Sequence, residues 1–142
     1  MTFQYVMMAN YSMYRKLLMR RLSDTGLSSG QPKILDYLRE HDGESQSEIA
    51  RANQIEPASL TTLINGMEKK GLVERRRLGT DRRSYHIYLT EKGREVCGRV
   101  TEAFAELERE AFPASEPGEN YAFQKELEEI YHRLKDMLAA EE

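Results

Sequence analysis

The chain has 142 residues and a formal net charge of -3, with 39% hydrophobic and 32% charged side chains. This length suits a single domain, residues 1–142, with a core of its own. No stretch approaches the ~18 apolar residues of a membrane-spanning helix, and the N-terminus lacks the pattern of a signal peptide. The single cysteine, Cys97, cannot form an internal disulfide, so we expect a cytoplasmic protein without a membrane partner.

Charge is distributed unevenly along the chain. Residues 102–142 contain twelve acidic and four basic side chains, whereas residues 69–83 contain seven basic and two acidic ones. Most of these basic side chains lie in the stretch RRRLGTDRRS, which begins at Arg75. A local basic patch on an acidic chain indicates either a polyanion bound at one surface or a solvated turn, and charge alone does not separate the two.

Two helices are predicted before residue 45. Residues 3–22 carry two neighbouring apolar stripes at helical spacing, so we expect this helix to be buried on more than one side. The stretch DTGLSSG breaks it, and Ser28 or Ser29 is expected to open a second helix, with Pro32 in its first turn. The stretch HDGE ends the second helix.

A short helix and then a polar-faced helix are predicted next. Ser45 and Glu48 have the spacing of a capping box, and the helix that they begin is about two turns long. After the break NQIE, Pro57 suits the first position of a helix over 57–70. Its inner face carries four apolar residues at helical spacing, namely Leu60, Leu63, Ile64 and Met67. The opposite face carries short polar side chains.

The hydrophobic period changes from 3.6 to 2 after Gly71. The stretches LVERRR and SYHIYLT flank the turn LGTD, and in the second stretch Tyr85, Ile87 and Leu89 occupy alternate positions, as in a half-buried strand. Two such arms around Gly79 predict a β-hairpin, and its tip is the arginine-rich stretch.

Two more helices are predicted in the C-terminal part. Thr90 is expected to cap a helix over about 91–112, which the stretch FPASEPG interrupts. The last helix, about 119–140, has apolar residues in alternating steps of four and three, as in a short coiled-coil seam that needs a partner helix. We number this sixth predicted helix α6 and call these residues the α6 seam: Phe123, Leu127, Ile130, Leu134 and Met137.

Side chains suited to catalysis or metal binding are scattered along the sequence. His41, His86 and His132 fall in three different elements, none has a cysteine or histidine at metal-binding spacing, and no nucleophile or phosphate-loop motif occurs. We therefore expect no enzyme activity, no catalytic or metal-binding residue and no cofactor. Cys97 lies among valines and is typical of a core cysteine, with an exposed redox-sensing thiol as the alternative.

The order of the elements is more informative than any one of them. A short capped helix, a tight turn, a polar-faced helix and a basic hairpin predict a helix-turn-helix whose second helix enters the DNA major groove. The DNA contacts expected from that helix are Pro57, Ala58, Ser59, Thr61, Thr62, Asn65 and Lys69. A phosphate is expected at the start of the preceding helix, at Ser45, Gln46 and Ser47. Arginines at the hairpin tip can reach the narrow minor groove.

Three segments resemble MarR-family transcriptional regulators, over roughly residues 10–100: GLSSGQPKILDYL, SQSEIARANQIEPASLTTLINGMEKKGLVERRR and DRRSYHIYLTEKG. The resemblance implies a mainly α fold with a small β-hairpin wing (α+β). A winged helix-turn-helix lobe at 28–91 would lie between helical dimerisation regions at 1–22 and 92–142. The resemblance also implies a homodimer that binds double-stranded DNA at a pseudo-palindromic operator, with repression as the usual mode.

Roles for the hairpin residues follow from the same resemblance. Asp81 matches an aspartate that pairs with an arginine two residues further on, which is Arg83 here, and this pair would hold the wing in shape. Arg82 or Arg83 would enter the minor groove, and the spacing does not decide between them. Arg75 and Arg77, on the incoming strand, would divide between phosphate contact and solvation.

An effector and an alternative function stay open at this point. Similar proteins often bind an aromatic acid or a hydrophobic compound, and Tyr11, Tyr14 and Phe104 would either line such a pocket or pack the dimer core. Redox-sensing members carry a cysteine in the first helix, which this sequence lacks. The alternative function is a winged-helix protein-interaction module without DNA binding, although the basic wing and the polar helix face argue against it.

Overall fold

Six helices and two strands form the described part of this chain in a computed structural model. The structure describes residues 1–79, 81–112 and 120–142, with the backbone alone for Asp81, Arg82, Asn120 and Tyr121. The elements are α1 (Phe3–Arg21), α2 (Gln31–Glu40), α3 (Gln46–Ala52), α4 (Pro57–Lys69), β1 (Val73–Leu78), β2 (Asp81–Leu89), α5 (Glu91–Ala111) and α6 (Asn120–Glu141). Met1–Leu107 forms one compact unit and Glu108–Glu142 another.

The first helix is largely uncovered within one chain, so its predicted burial on more than one side stays a prediction that requires a second chain. Thr2 caps its start, since the Tyr5 amide donates to the Thr2 hydroxyl at 3.4 Å. Leu18 is the buried residue of α1, and eight large apolar side chains of the helix are exposed: Phe3, Tyr5, Met7, Met8, Tyr11, Met13, Tyr14 and Leu17. Periodicity measures how much of a helix is apolar, but it does not say which chain covers that surface.

The second helix starts later than predicted. Its N-cap is Gly30, at a φ of 93°, instead of Ser28 or Ser29. The helix has no side-chain cap, and the side chain of Gln31 turns back to accept a hydrogen bond from the Ser28 amide at 2.9 Å. Pro32 lies in the first turn, as predicted, and the inner face of α2 is fully buried at Ile34, Leu35 and Leu38.

The helix-turn-helix forms as the sequence predicts. The Glu48 amide donates to the Ser45 hydroxyl at 3.2 Å at the start of α3, and Pro57 is the first residue of α4. Between the two helices Gln54 takes a left-handed φ of 53°, which turns the chain within four residues. The inner face of α4 is buried at three of its four apolar positions and half-buried at Leu63.

The hairpin is antiparallel and shares its second strand with a loop. Val73 pairs with Leu89 and Arg75 with Ile87, and the register is irregular between Arg76 and Leu78. On the other edge of β2, the Gly43 amide donates to the Ile87 carbonyl at 2.8 Å, and the Ile87 amide donates to the Glu44 carbonyl at 3.0 Å. The base of the wing is thereby fixed to the start of the helix-turn-helix.

The fifth helix closes the core beside the hairpin. Thr90 caps it as predicted, by accepting from the Gly93 amide at 2.9 Å. A Cβ atom on Gly93 would clash with the backbone carbonyl of Leu72, so this close approach requires glycine. Four α5 side chains join the core: Cys97, Val100, Ala103 and Leu107.

The last helix exposes its apolar side chains. The predicted break FPASEPG falls largely at 113–119, outside the described residues, and α6 begins at Asn120. Every leucine, phenylalanine and methionine of the α6 seam is at least 45% exposed, and Ile130 is half-buried. No helix among the described residues is both long enough and apolar enough to span a membrane.

Cys97 is a core residue, as its neighbours in the sequence predict. It is 3% exposed, and its Sγ donates to the Leu35 carbonyl at 3.3 Å. Burial, followed by the negative charge of Asp36, raises the pKa of this thiol above its ordinary value. A redox sensor needs an exposed and easily ionised thiol, so this position argues against the redox-sensor alternative.

Thiol labelling of the native protein should therefore be slow. Because the raised pKa keeps the Cys97 thiol protonated, we expect alkylation at pH 8 to be at least about tenfold slower than in the protein unfolded in denaturant. The alkylation rate of the native protein should rise only at pH values above the ordinary thiol pKa of ~8.5. Equal rates in the native and unfolded protein would contradict the buried position.

Candidate nucleic-acid interface

The outer face of α4 is polar and open to solvent. All seven residues predicted to contact DNA from this helix are exposed: Pro57, Ala58, Ser59, Thr61, Thr62, Asn65 and Lys69. The Thr61 and Thr62 hydroxyls donate to the carbonyls of Pro57 and Ala58 at 3.0 and 3.2 Å. Their oxygens keep acceptor capacity on the outer face. Contact between these residues and DNA stays a prediction.

The start of α3, where a phosphate is predicted, is only partly open to solvent. Ser45 is 8% exposed, and its hydroxyl is occupied by the capping hydrogen bond. Gln46 is half-buried, and its Nε2 donates to the Thr61 hydroxyl at 2.7 Å, so it joins α3 to α4. Of the three predicted residues, Ser47 is the exposed one. Ser45 therefore has a capping role, and a phosphate contact at this position stays a prediction.

A surface depression of about 220 Å³ lies where α3, α4 and β2 approach one another. It is lined by Gln46, Ser47, Pro57, Arg83, Ser84 and Tyr85. Hydroxyl, amide and guanidinium groups from three elements thus face one concavity, although they are far apart in the sequence. Such a set of donors suits an anionic group such as a phosphate.

Arg75, a predicted wing contact, makes its hydrogen bonds with α4. Its Nη2 donates to Oδ1 of Asn65 at 2.6 Å, and its Nη1 lies 3.3 Å from Oε1 of Glu68. The side chain is 16% exposed, and its Nε is buried without a hydrogen-bond partner among the described residues. The guanidinium therefore lies against α4, and its contact with a phosphate stays a prediction.

The remaining wing arginines have different surroundings. Arg77 is exposed, and it donates to the Tyr85 hydroxyl at 2.8 Å while its guanidinium stacks on the Tyr85 ring. Arg83 is exposed beside the depression. The side chains of Asp81 and Arg82 lie outside the described residues, and so does the predicted pairing of Asp81 with Arg83.

One segment of this chain, residues 27–85, matches the model of the MarR family. This segment is similar to MarR-family domains. The segment contains α2, α3, α4, β1 and the first part of β2. The resemblance noted in the sequence is confirmed over these residues.

A curated relative and two solved structures place this domain among known proteins. The HTH-type transcriptional regulator PecS of Dickeya dadantii is 35% identical over 87 residues, which cover 59% of this chain and 52% of PecS. The chain spans about half the length of the curated relatives it matches. A MarR transcriptional regulator from Methanosarcina mazei Go1 and the MepR–DNA complex of S. aureus both have a TM-score of 0.85, at 23% and 24% identity. Each covers 94% of this chain and 99% of its own. The predicted fold class is confirmed.

Two residues that support the helix-turn-helix were not identified from the sequence: Gln31 contacts α4, and Lys33 contacts the end of α3. Gln31 is 2% exposed, and its Oε1 accepts from Nζ of Lys70 at 2.7 Å while its Nε2 donates to the Leu63 carbonyl at 3.4 Å. Lys33 donates from Nζ to the Asn53 carbonyl at 2.8 Å, and loss of water contact lowers its pKa. Local sequence patterns predict neither set of contacts, because the partners lie 20 or more residues away in the sequence.

A tyrosine braces the loop that pairs with β2. The hydroxyl of Tyr37 donates to Oε2 of Glu44 at 2.6 Å. Loss of water contact, and then this hydrogen bond to a carboxylate, raises the pKa of Tyr37 to about 12. The phenol therefore stays a donor at neutral pH, and it holds the loop beside the wing.

The predicted effector residues come together only in part. The rings of Tyr14 and Phe104 stack with centroids 6.3 Å apart and planes 15° from parallel. Tyr11 is 67% exposed, and the guanidinium of Arg15 lies 5.9 Å from its ring centroid. A role for these three aromatic residues in binding a ligand stays a prediction.

Proposed function

We propose that this chain is a sequence-specific regulator of transcription that binds double-stranded DNA through its winged helix-turn-helix. The observation that carries the proposal is the fully exposed polar face of α4 beside an arginine-bearing hairpin. Serine, threonine and asparagine side chains can form hydrogen bonds with base edges in a major groove, and arginines at a hairpin tip suit a minor groove. Two similar proteins support this assignment: PecS is a transcriptional regulator, and MepR has been solved in complex with DNA.

Local electrostatics favour DNA over an acidic or neutral protein partner. The one carboxylate of α4, on Glu68, is paired with Arg75, so it does not oppose a phosphate backbone alone. Lys69 is exposed at the end of the same helix. Acidic side chains are instead concentrated in residues 102–142, which contain twelve of them. A winged-helix module that binds protein has no need for this distribution.

A second copy of the chain is the partner that we propose for the exposed apolar side chains. The eight large apolar side chains exposed on α1, and the leucine, phenylalanine and methionine side chains of the α6 seam, are each at least 39% exposed within the described residues. Apolar surface of this extent is uncommon on a monomer. In a homodimer on a pseudo-palindrome, the two α4 helices would enter successive major grooves about 34–36 Å apart. Repression by blocking access to a promoter is the proposed outcome.

An effector would act by changing the separation of the two α4 helices in the dimer. A small aromatic or hydrophobic compound would release the DNA only if it bound better to a dimer whose α4 helices were wrongly spaced. Tyr14 and Phe104, stacked between α1 and α5, are candidates for such a contact. Cytoplasmic location belongs to the same proposal.

Binding to DNA upstream of its own gene tests the proposal. We expect a specific complex in a fluorescence-anisotropy titration, with affinity falling by at least about 100-fold between 50 and 200 mM salt, because several phosphate contacts release counterions. A scrambled duplex of the same length is the control. A protein that binds both duplexes equally weakly at low salt would contradict sequence-specific binding.

A further inference from the structure

The contact between Arg75 and Asn65 joins the wing to the centre of the exposed α4 face. Arg75 lies opposite Ile87 in the hairpin register, and cross-strand partners share a face of the sheet. Because Ile87 is fully buried, that face is turned inward, toward the body of the domain. Arg75 follows it and reaches Asn65 at 2.6 Å and Glu68 at 3.3 Å. The ring of Tyr85 covers the guanidinium, with its centroid 5.7 Å from Cζ.

This contact fixes which way the Asn65 amide is turned. A guanidinium has five donors and no acceptor, so the Asn65 atom that meets it must be the oxygen. The hydrogen bond is also charge-assisted, which makes it stronger than one between neutral groups. The other atom of the amide group, Nδ2, is then the one that can donate to a ligand on the exposed side of α4. Asn65 therefore offers a donor, and a positive charge lies close behind it.

We propose that Arg75 is a positioning residue that makes Asn65 read its base as a donor, with a preference for guanine. This inference rests on the proposed function, since it requires α4 to lie in a major groove. A free asparagine reads adenine with both amide groups, accepting from N6 and donating to N7. Because Oδ1 of Asn65 already accepts from Arg75, it is not free to accept from N6 of adenine. The positively charged guanidinium also disfavours the N6 amino group, which is a donor.

Guanine fits the remaining pattern best among the four bases. Its N7 and O6 are adjacent acceptors, so they suit one donor and a nearby positive charge. Cytosine presents a donor at the same place, and thymine presents one acceptor with a methyl group. The base pair that Asn65 reads should therefore be G·C, and releasing Oδ1 should shift the preference toward A·T.

Selection from a randomised duplex library tests the inference, with five variants beside the unaltered protein. Asn65→Ala identifies the base pair that Asn65 reads, as the position whose preference is lost. At that position we expect G·C for the unaltered protein and at least about a fivefold loss of G·C over A·T for Arg75→Met. Arg75→Lys keeps a donor for Oδ1 and should retain the G·C preference.

Arg76→Met is the matched control for charge and for strand. Arg76 is the neighbouring residue of β1, and it contacts Glu74 and the Tyr88 ring instead of α4. Its variant should return the unaltered motif. The double variant Asn65→Ala/Arg75→Met should match Asn65→Ala alone at the position read, because Arg75 acts through Asn65.

Several outcomes would overturn the inference. An A·T pair at the Asn65 position in the unaltered protein would do so, and this result is independent of whether any Arg75 variant folds. The same holds if Arg75→Met returns the unaltered motif, or if Arg76→Met causes the same shift. If the unaltered protein selects no motif, the proposed function fails together with the inference, whereas a clear motif that is insensitive to Arg75 overturns the inference alone.

Discussion

Replacing Arg82 and Arg83 together with alanine is expected to weaken binding to specific DNA by at least about tenfold, or ~1.4 kcal/mol at 25 °C. Arg83 is exposed beside the depression formed by α3, α4 and β2. Arginines at a hairpin tip are suited to the narrow, electronegative minor groove, and they also neutralise phosphates. The loss should shrink as salt rises, because part of it is electrostatic.

The measurement is an anisotropy titration at matched salt, with thermal unfolding monitored in parallel. Arg109→Ala/Arg133→Ala removes the same charge from exposed helical positions in the acidic C-terminal part, and it should leave the affinity within about twofold. Unchanged affinity for the wing variant, or an equal loss in the control, would remove the hairpin tip from the binding mechanism.

The second large effect is expected in the α6 seam, where Leu127→Lys/Leu134→Lys should convert the dimer to a monomer. Leu127 is 50% exposed and Leu134 is 45% exposed within one chain, so a second copy is the proposed cover. Each buried leucine contributes about 1.5–3 kcal/mol, and the dimer contains each twice. We therefore expect the dimer dissociation constant to rise by at least about 100-fold, ~2.7 kcal/mol.

Sedimentation equilibrium at micromolar concentration measures this change. Glu129→Lys/Asp136→Lys is the control, because these positions lie about 200° around the helix from Leu127 and Leu134. It adds more positive charge than the seam variant, yet it should leave the dimer intact. A monomeric unaltered protein would refute the dimer proposal, and a dimeric seam variant would place the interface elsewhere. DNA affinity should fall when dimerisation is lost, since each protomer then binds one half-site.

Local signals determined the order and boundaries of the elements. Ser45, Pro57 and Thr90 mark helix starts because capping and a fixed φ act within one turn of the chain. The change of period after Gly71 located the hairpin for the same reason. Gly30 shows the limit of these signals, because α2 begins there without a side-chain cap, and the neighbouring Gln31 side chain contacts Ser28 and Lys70 instead.

What the sequence by itself determined is the mainly α fold with a wing, the polar face of α4 and the apolar stripes of α1 and α6. Composition and periodicity contain that information, since each residue's face follows from its position in a regular element. Only the tertiary structure decided where Arg75 points. Strand alternation assigns the residues of β1 to two faces, but it does not say which face contacts α4. That follows from the burial of Ile87 across the hairpin and from the hydrogen bond to Asn65, ten residues away. An arginine that the sequence left between phosphate contact and solvation thus lies against α4, where we propose that it positions Asn65.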